Sequence, residues 1–180
     1  MDQAPYIREL INRLARLDAA TAWGGDLNPT QRAVLDYLVR TNLFSRIPSH
    51  VAEYLGTTRG TVSQSFKSLV QKGYVTERRS HLDKRVISFE LTKNGKDIAN
   101  AQHLLAGALA DFTEDEKDSL LASLSAVLRG MLAQNAGRPF GICRSCRHHD
   151  TTSEGGYCRL LSEPLLPSET HQICFEQEAI

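Results

Sequence analysis

Ile47-Pro48-Ser49-His50-Val51-Ala52-Glu53-Tyr54-Leu55-Gly56 runs directly into Thr57-Thr58-Arg59-Gly60-Thr61-Val62-Ser63-Gln64-Ser65-Phe66-Lys67-Ser68-Leu69-Val70-Gln71-Lys72-Gly73. The first stretch reads as a short helix closed by glycine. Thr57 or Thr58 then caps a second helix that runs to about Lys72, with Val62, Phe66, Leu69 and Val70 as its buried face. Two helices joined by a short turn containing glycine make a helix-turn-helix.

Working outward, the hydrophobic period changes after Gly73. Residues 74–78 read as a strand and 86–91 as its antiparallel partner, joined by a polar, charged connection. A hairpin placed directly after a helix-turn-helix is a wing. Upstream, Asn28-Pro29 sets the start of a helix whose apolar stripe is Val34, Leu35, Leu38 and Val39. Before it, Ile7, Leu10, Ile11, Leu14 and Leu17 recur at helical spacing, and Trp23-Gly24-Gly25 ends that first helix. Downstream, Thr92 caps one helix through Ile98, Leu105, Leu109 and Phe112. Thr113 with Glu116 forms a capping box for another, which carries Leu120, Leu121, Leu124, Val127, Leu128, Met131 and Leu132. Gly137-Arg138-Pro139 breaks it and opens a loop-rich tail.

Charge follows the same division. The 180 residues carry 21 Lys plus Arg and 21 Asp plus Glu, a net charge of zero. Residues 58–85 hold seven cations against two anions, a local +5, whereas residues 150–180 hold one cation against six anions, a local −5. The middle of the chain is prepared for a polyanion and the tail is not. On the outward face of the second helix of the pair stand Thr58, Arg59, Thr61, Ser63, Gln64 and Lys67. Gly60 among them allows close approach. These side chains suit phosphates and base edges of a major groove. On the wing, Arg79, Lys84 and Arg85 suit phosphates or the adjacent minor groove.

The order of elements, with Asp83-Lys84-Arg85-Val86-Ile87-Ser88-Phe89-Glu90-Leu91-Thr92 and Gly95, resembles the MarR family of transcriptional regulators over roughly residues 5–134. The family pattern is Asp-x-Arg, three residues, an apolar residue, x, Leu-Thr, and Phe89 stands where leucine is usual. The resemblance implies that Arg85 approaches the minor groove while Asp83 steadies the wing by charge pairing. It also implies an obligate homodimer built from the first helix and the last two long ones. Those helices carry wide apolar stripes with too little domain left to cover them.

All four cysteines, Cys143, Cys146, Cys158 and Cys174, lie in the last 38 residues. One Cys-x-x-Cys followed by two isolated cysteines indicates a four-thiolate site in a reducing compartment. A structural zinc ribbon more often grips its ion with two such knuckles. Lone third and fourth ligands suit a larger object approached from separate loops, and this favours an iron–sulfur cluster, 4Fe–4S or 2Fe–2S. The spacing loosely resembles that of high-potential iron–sulfur proteins, without the Gly-Trp that usually precedes their last cysteine. Structural zinc and a thiol switch remain the alternatives. Arg144, Arg147 and Arg159 would offset thiolate charge with either metal, while His148, His149 and His171 read as solvent-exposed loop histidines.

The expected fold is mainly α with a small β-wing, a dimeric winged helix-turn-helix with a loop-rich metal-binding tail. Residues 1–136 form the DNA-binding and dimerisation domain, with its winged core at about 29–92 and dimerisation helices at about 5–21 and 93–135. Residues 137–180 form the Cys-rich module. The expected function is a cytoplasmic homodimeric regulator, acting as a repressor on pseudo-palindromic double-stranded DNA and sensing redox or iron–sulfur status. The alternative keeps the DNA binding, makes zinc structural, and assigns control to a small aromatic or phenolic ligand or to thiol oxidation. No nucleophile–base motif, phosphate loop or paired catalytic carboxylates stand out, so an enzyme is not expected. No run of apolar residues approaches a membrane span.

Overall fold

A computed structural model describes residues 2–20, 25–79, 86–101, 103–135 and 137–179. Seven α-helices are described: α1 (Ala4–Ala20), α2 (Pro29–Arg40), α3 (Pro48–Tyr54), α4 (Arg59–Gln71), α5 (Lys93–Ala99), α6 (Leu104–Leu109) and α7 (Glu114–Gln134). Between α4 and α5 the antiparallel pair β1 (Val75–Arg79) and β2 (Ile87–Leu91) runs in register from Val75 opposite Leu91 to Arg79 opposite Ile87.

The local signals act as their chemistry requires. Asn28 accepts from Gln31 N while the Gln31 side chain returns to Asn28 N, closing a capping box beside Pro29. Thr113 and Glu116 close a second box on α7, while Thr58 and Thr92 cap α4 and α5 by accepting from Thr61 N and Gly95 N alone. Gly56, at φ +61°, makes the left-handed turn between α3 and α4 that a Cβ would oppose. Around these ends, Val34, Leu35 and Leu38 of α2, Val51 of α3, Val62, Phe66 and Leu69 of α4 and Val75 of β1 form one buried core. Phe89 completes it by stacking on Phe66, centroids 3.8 Å apart, so an aromatic at this wing position fills space against α4. In α4 the buried side turns toward Ser65, whose hydroxyl donates to Thr61 O, and Val70, expected inside, is exposed.

The single helix expected over 93–112 is two helices. In a continuous helix Leu105 N–H would donate to Ala101 O. Instead Arg32 of α2 donates to Ala101 O, and Leu105 N–H donates to Asp18 of α1. Tertiary hydrogen bonds take both halves of the missing helical one, which no local residue announces.

The tail is more ordered than a loop. Strands β4 (His149–Thr152), β5 (Gly155–Cys158) and β6 (Glu163–Leu165) form an antiparallel meander, while β3 (Gly141–Ile142) pairs with β7 (Ile173–Cys174). The expected end of the first helix at Trp23-Gly24 lies outside the described residues, as does the wing tip 80–85. No helix among the described residues is long and apolar enough to cross a membrane.

Candidate nucleic-acid interface and thiol cluster

The packing of Val62, Ser65, Phe66 and Leu69 inward turns the opposite face of α4 to solvent. Thr58, Arg59, Gly60, Thr61, Gln64 and Lys67 are exposed, and Ser63 is half-buried at the margin. Thr58 also has a structural duty: its Oγ1 accepts from Thr61 N at 3.1 Å and lies 2.8 Å from Thr61 Oγ1. That exposed helix N-terminus concentrates unsatisfied N–H groups beside Arg59, a natural cradle for phosphate. Arg78 and Arg79 are exposed on β1, and Arg78 pairs with Glu90 across the ribbon. Asp83, Lys84 and Arg85 lie outside the described residues.

Residues 25–86 match the family model described as MarR family. The fold is that of a MarR-type winged helix. Streptococcus pneumoniae FabT in complex with DNA superposes with TM-score 0.56 at 23% identity, over 73% of this chain and 96% of that one. S. aureus MepR, also in a DNA complex, gives TM-score 0.56 at 18% identity over 73% and 99%. The reduced form of E. coli MarR gives TM-score 0.54 at 24% identity over 71% and 97%. No curated protein matches the chain at a significant level. The MarR match ends before the cysteines begin.

The four cysteines are all buried and all free, and the tail folds so as to bring them together. Cys143 opens a 3₁₀ turn that Cys146 closes, with Cys146 N donating to Cys143 O at 2.9 Å. Cys158 ends β5 opposite His149, and Cys174 lies in β7 opposite Gly141. Cys143, Cys158, Cys174 and Leu165 form one buried cluster, lined by Phe44 and Leu161. Burial first, then Cys174, Cys158 and Cys146, push the Cys143 thiol up to about 12. Four thiolates packed this way would repel one another, and holding them deprotonated would take a cationic centre among them. Among the described residues no group of three or more Cys, His, Asp or Glu donors is arranged to hold a single metal ion.

The surroundings differ from expectation in two respects. Arg147 pairs with Glu178 at 3.4 Å and Arg159 with Asp150 at 3.5 Å, so these guanidiniums serve tail carboxylates, and Arg144 is exposed. His171 is exposed, but His148 and His149 are half-buried: His148 Nε2 lies 3.5 Å from Glu178, and His149 sits on β4. Sequence reasoning missed the polar contacts to sulfur from outside the tail. The Asn42 and Ser45 side chains both act to lower the pKa of Cys174, against the burial that raises it, and within the tail Glu178 N donates to Cys146 Sγ at 3.5 Å. A buried asparagine and serine beside each other, 1% and 0% exposed, are the signal a pattern search passes over.

Proposed function

We propose that this chain is a homodimeric, DNA-binding transcriptional regulator of MarR type, acting as a repressor, whose four cysteines hold an iron–sulfur cluster. The observation that carries the DNA half is the polar and cationic face of α4, held outward by a packed helix-turn-helix next to a basic ribbon. DNA complexes of FabT and MepR, which share the fold, support the same reading. The dimer is supported by α1 and α7, neither of which buries a single residue within the chain. A twofold pair would read half-sites about one helical turn apart.

For the sensor half, Cys143, Cys146, Cys158 and Cys174 are the ligands. The lone Cys158 and Cys174, set on separate strands away from the Cys143–Cys146 turn, favour a multi-atom cluster over zinc. When bound, the cluster supplies charge compensation and a redox-labile core to a tail with few large apolar residues.

The alternative, structural zinc with control by a small ligand, draws support from a crevice of about 410 Å³ between α1, α2, α3 and α6. Tyr37, Arg40, Tyr54, His103 and Leu109 are among its lining residues.

Two measurements test the proposal. Full-length protein purified anaerobically should be brown, absorb around 400 nm and contain iron and sulfide. A colourless chain with one zinc returns the sensor to the alternative. Duplexes selected from a random pool should carry an inverted repeat, and Arg85→Ala should weaken binding to them by about 1–3 kcal/mol with a shallower salt dependence. Absence of any selected repeat overturns the regulator reading.

A further inference from the structure

The tail does not hang from the end of α7. Its last strand docks on the segment that joins α2 to α3: Asn42 N donates to Ile173 O at 3.0 Å, Thr41 bridges Ile173, and Phe175 N donates to Ser45 Oγ at 2.8 Å. Thr41, Asn42 and Ser45 are fully buried polar residues of the winged helix. Ser45 donates its one hydroxyl hydrogen to Asn42 Oδ1 at 2.7 Å, which fixes the amide oxygen, and the Asn42 side chain acts to lower the pKa of Cys174. Phe44, from the same turn, packs on the cysteine cluster.

Beyond Cys174 the contact continues into α3. The Phe175 ring stacks on His50 with centroids 3.4 Å apart and planes 7° from parallel. Phe140, held at φ +48°, a strained conformation for a residue with a Cβ, places its ring edge-on to both Phe175 and Tyr54. Arg138 lies over Phe175 at 4.2 Å and 3.9 Å from Glu53 of α3. The same turn also reaches the wing, because Phe89 N of β2 donates to Arg46 O at 3.0 Å.

We infer that the Asn42–Ser45 turn of the winged helix is the outer shell of the four-thiol site, and that the Phe175–His50 stack carries the loading of that site directly to α3 within one chain. Asn42 is a positioning residue: held by Ser45 and by Ile173 O, it orients Cys174 and offers its amide N–H to that sulfur. Phe175, next to that ligand, shifts with it and bears on the helix that supports α4. This route needs neither α7 nor the dimer, although it rests on the reading of the cysteines as ligands of an inorganic centre.

The test uses the full chain, reconstituted anaerobically with iron and sulfide and then stripped with a chelator. In the wild type, amides of α3 should exchange with deuterium at least about tenfold more slowly in the loaded protein, while those of α7 change less than about twofold. Phe175→Leu, and His50→Leu from the other side of the stack, should keep the iron content and abolish the difference at α3. Asn42→Asp keeps the shape but replaces the N–H donor with a carboxylate oxygen. It should lose iron to chelator at least about tenfold faster, with a shifted reduction potential. A wild type that takes up neither iron nor zinc overturns the metal reading, and this inference with it. A loaded wild type with unchanged α3 exchange, or stack variants that respond like the wild type, overturns the inference alone. Asn42→Asp with wild-type iron loss and potential removes the outer-shell role.

Discussion

His50 keeps its ring neutral in the folded chain. Burial is the larger cause and the Arg138 guanidinium the second, and together they lower its pKa from 6.5 to about 4 against the opposing pull of the Phe44 carbonyl. The nearby carboxylates of Glu53 and Glu176 are directed at Arg138, at 3.9 and 3.5 Å. A histidine whose folded pKa is depressed contributes stability that is complete above about 6.5. That stability drains away as pH falls toward 4, since the unfolded chain takes up a proton that the folded chain refuses. The ring is half-exposed, so solvent screening limits the loss to about 1–2 kcal/mol. His50→Phe keeps a stacking ring that cannot titrate. Urea unfolding at pH 7 and pH 4.5 should show the wild type losing that much more than the variant. Parallel losses would exclude His50 as the titrating group. Gly95 makes the opposite kind of point, because it matters through what it lacks. A Cβ there would overlap Tyr74 O, the carbonyl that also accepts from Thr92 N. Gly95→Ala must therefore push α5 away from Tyr74, just before β1, and thermal unfolding should register a destabilisation of about 1–3 kcal/mol.

Helix α4 shows how one residue can serve an element and a surface together. Thr58 stands among the residues expected to touch DNA, yet its hydroxyl is committed to Thr61 N as the N-cap. Thr58→Ala should cost about 1 kcal/mol of unfolding free energy, and Thr58→Ser a few tenths at most. Equal losses in the two variants would mean that the methyl group, and not the cap, is what counts. The caps at Asn28, Thr58, Thr92 and Thr113, the glycine stops and the change of period after Gly73 were all readable along the chain, because each depends on neighbours within four residues. Where distant groups decide, the string of letters is silent. The break between α5 and α6 is made by Arg32 and Asp18, which lie in other helices. The short tail strands pair in a meander that polar, glycine-containing segments do not announce. Spacing singled out the four cysteines, all of them buried, but said nothing of Asn42 and Ser45, a hundred residues upstream. Their role appears only when β7 is laid beside the turn after α2.

At the scale of the whole molecule, what stands out is apolar surface without a partner. Along α1 the side chains of Ile7, Leu10, Ile11, Leu14 and Leu17 are exposed, and along α7 so are Leu121, Leu124, Val127, Leu128 and Met131, with Leu121 at 65%. The α7 capping box and the acidic first turn Glu114-Asp115-Glu116 start the helix firmly, so its exposed stripe is not the sign of a helix about to melt. Burying a leucine contributes about 1.5–3 kcal/mol, and in a twofold interface each residue contributes twice. Two leucines on α7 are thus worth about 6–12 kcal/mol to the proposed dimer, enough to separate a nanomolar complex from none. Leu121→Glu combined with Leu128→Glu should sediment as a monomer at concentrations where the wild type is dimeric, with its helical circular dichroism intact. Since two linked half-sites bind far more tightly than one, the same variant should lose at least about a hundredfold in affinity for a selected inverted repeat, and its salt dependence should fall toward half. A variant that remains dimeric would place the interface elsewhere. A monomer that binds the repeat as tightly as the wild type would break the link between the paired chains and the paired half-sites.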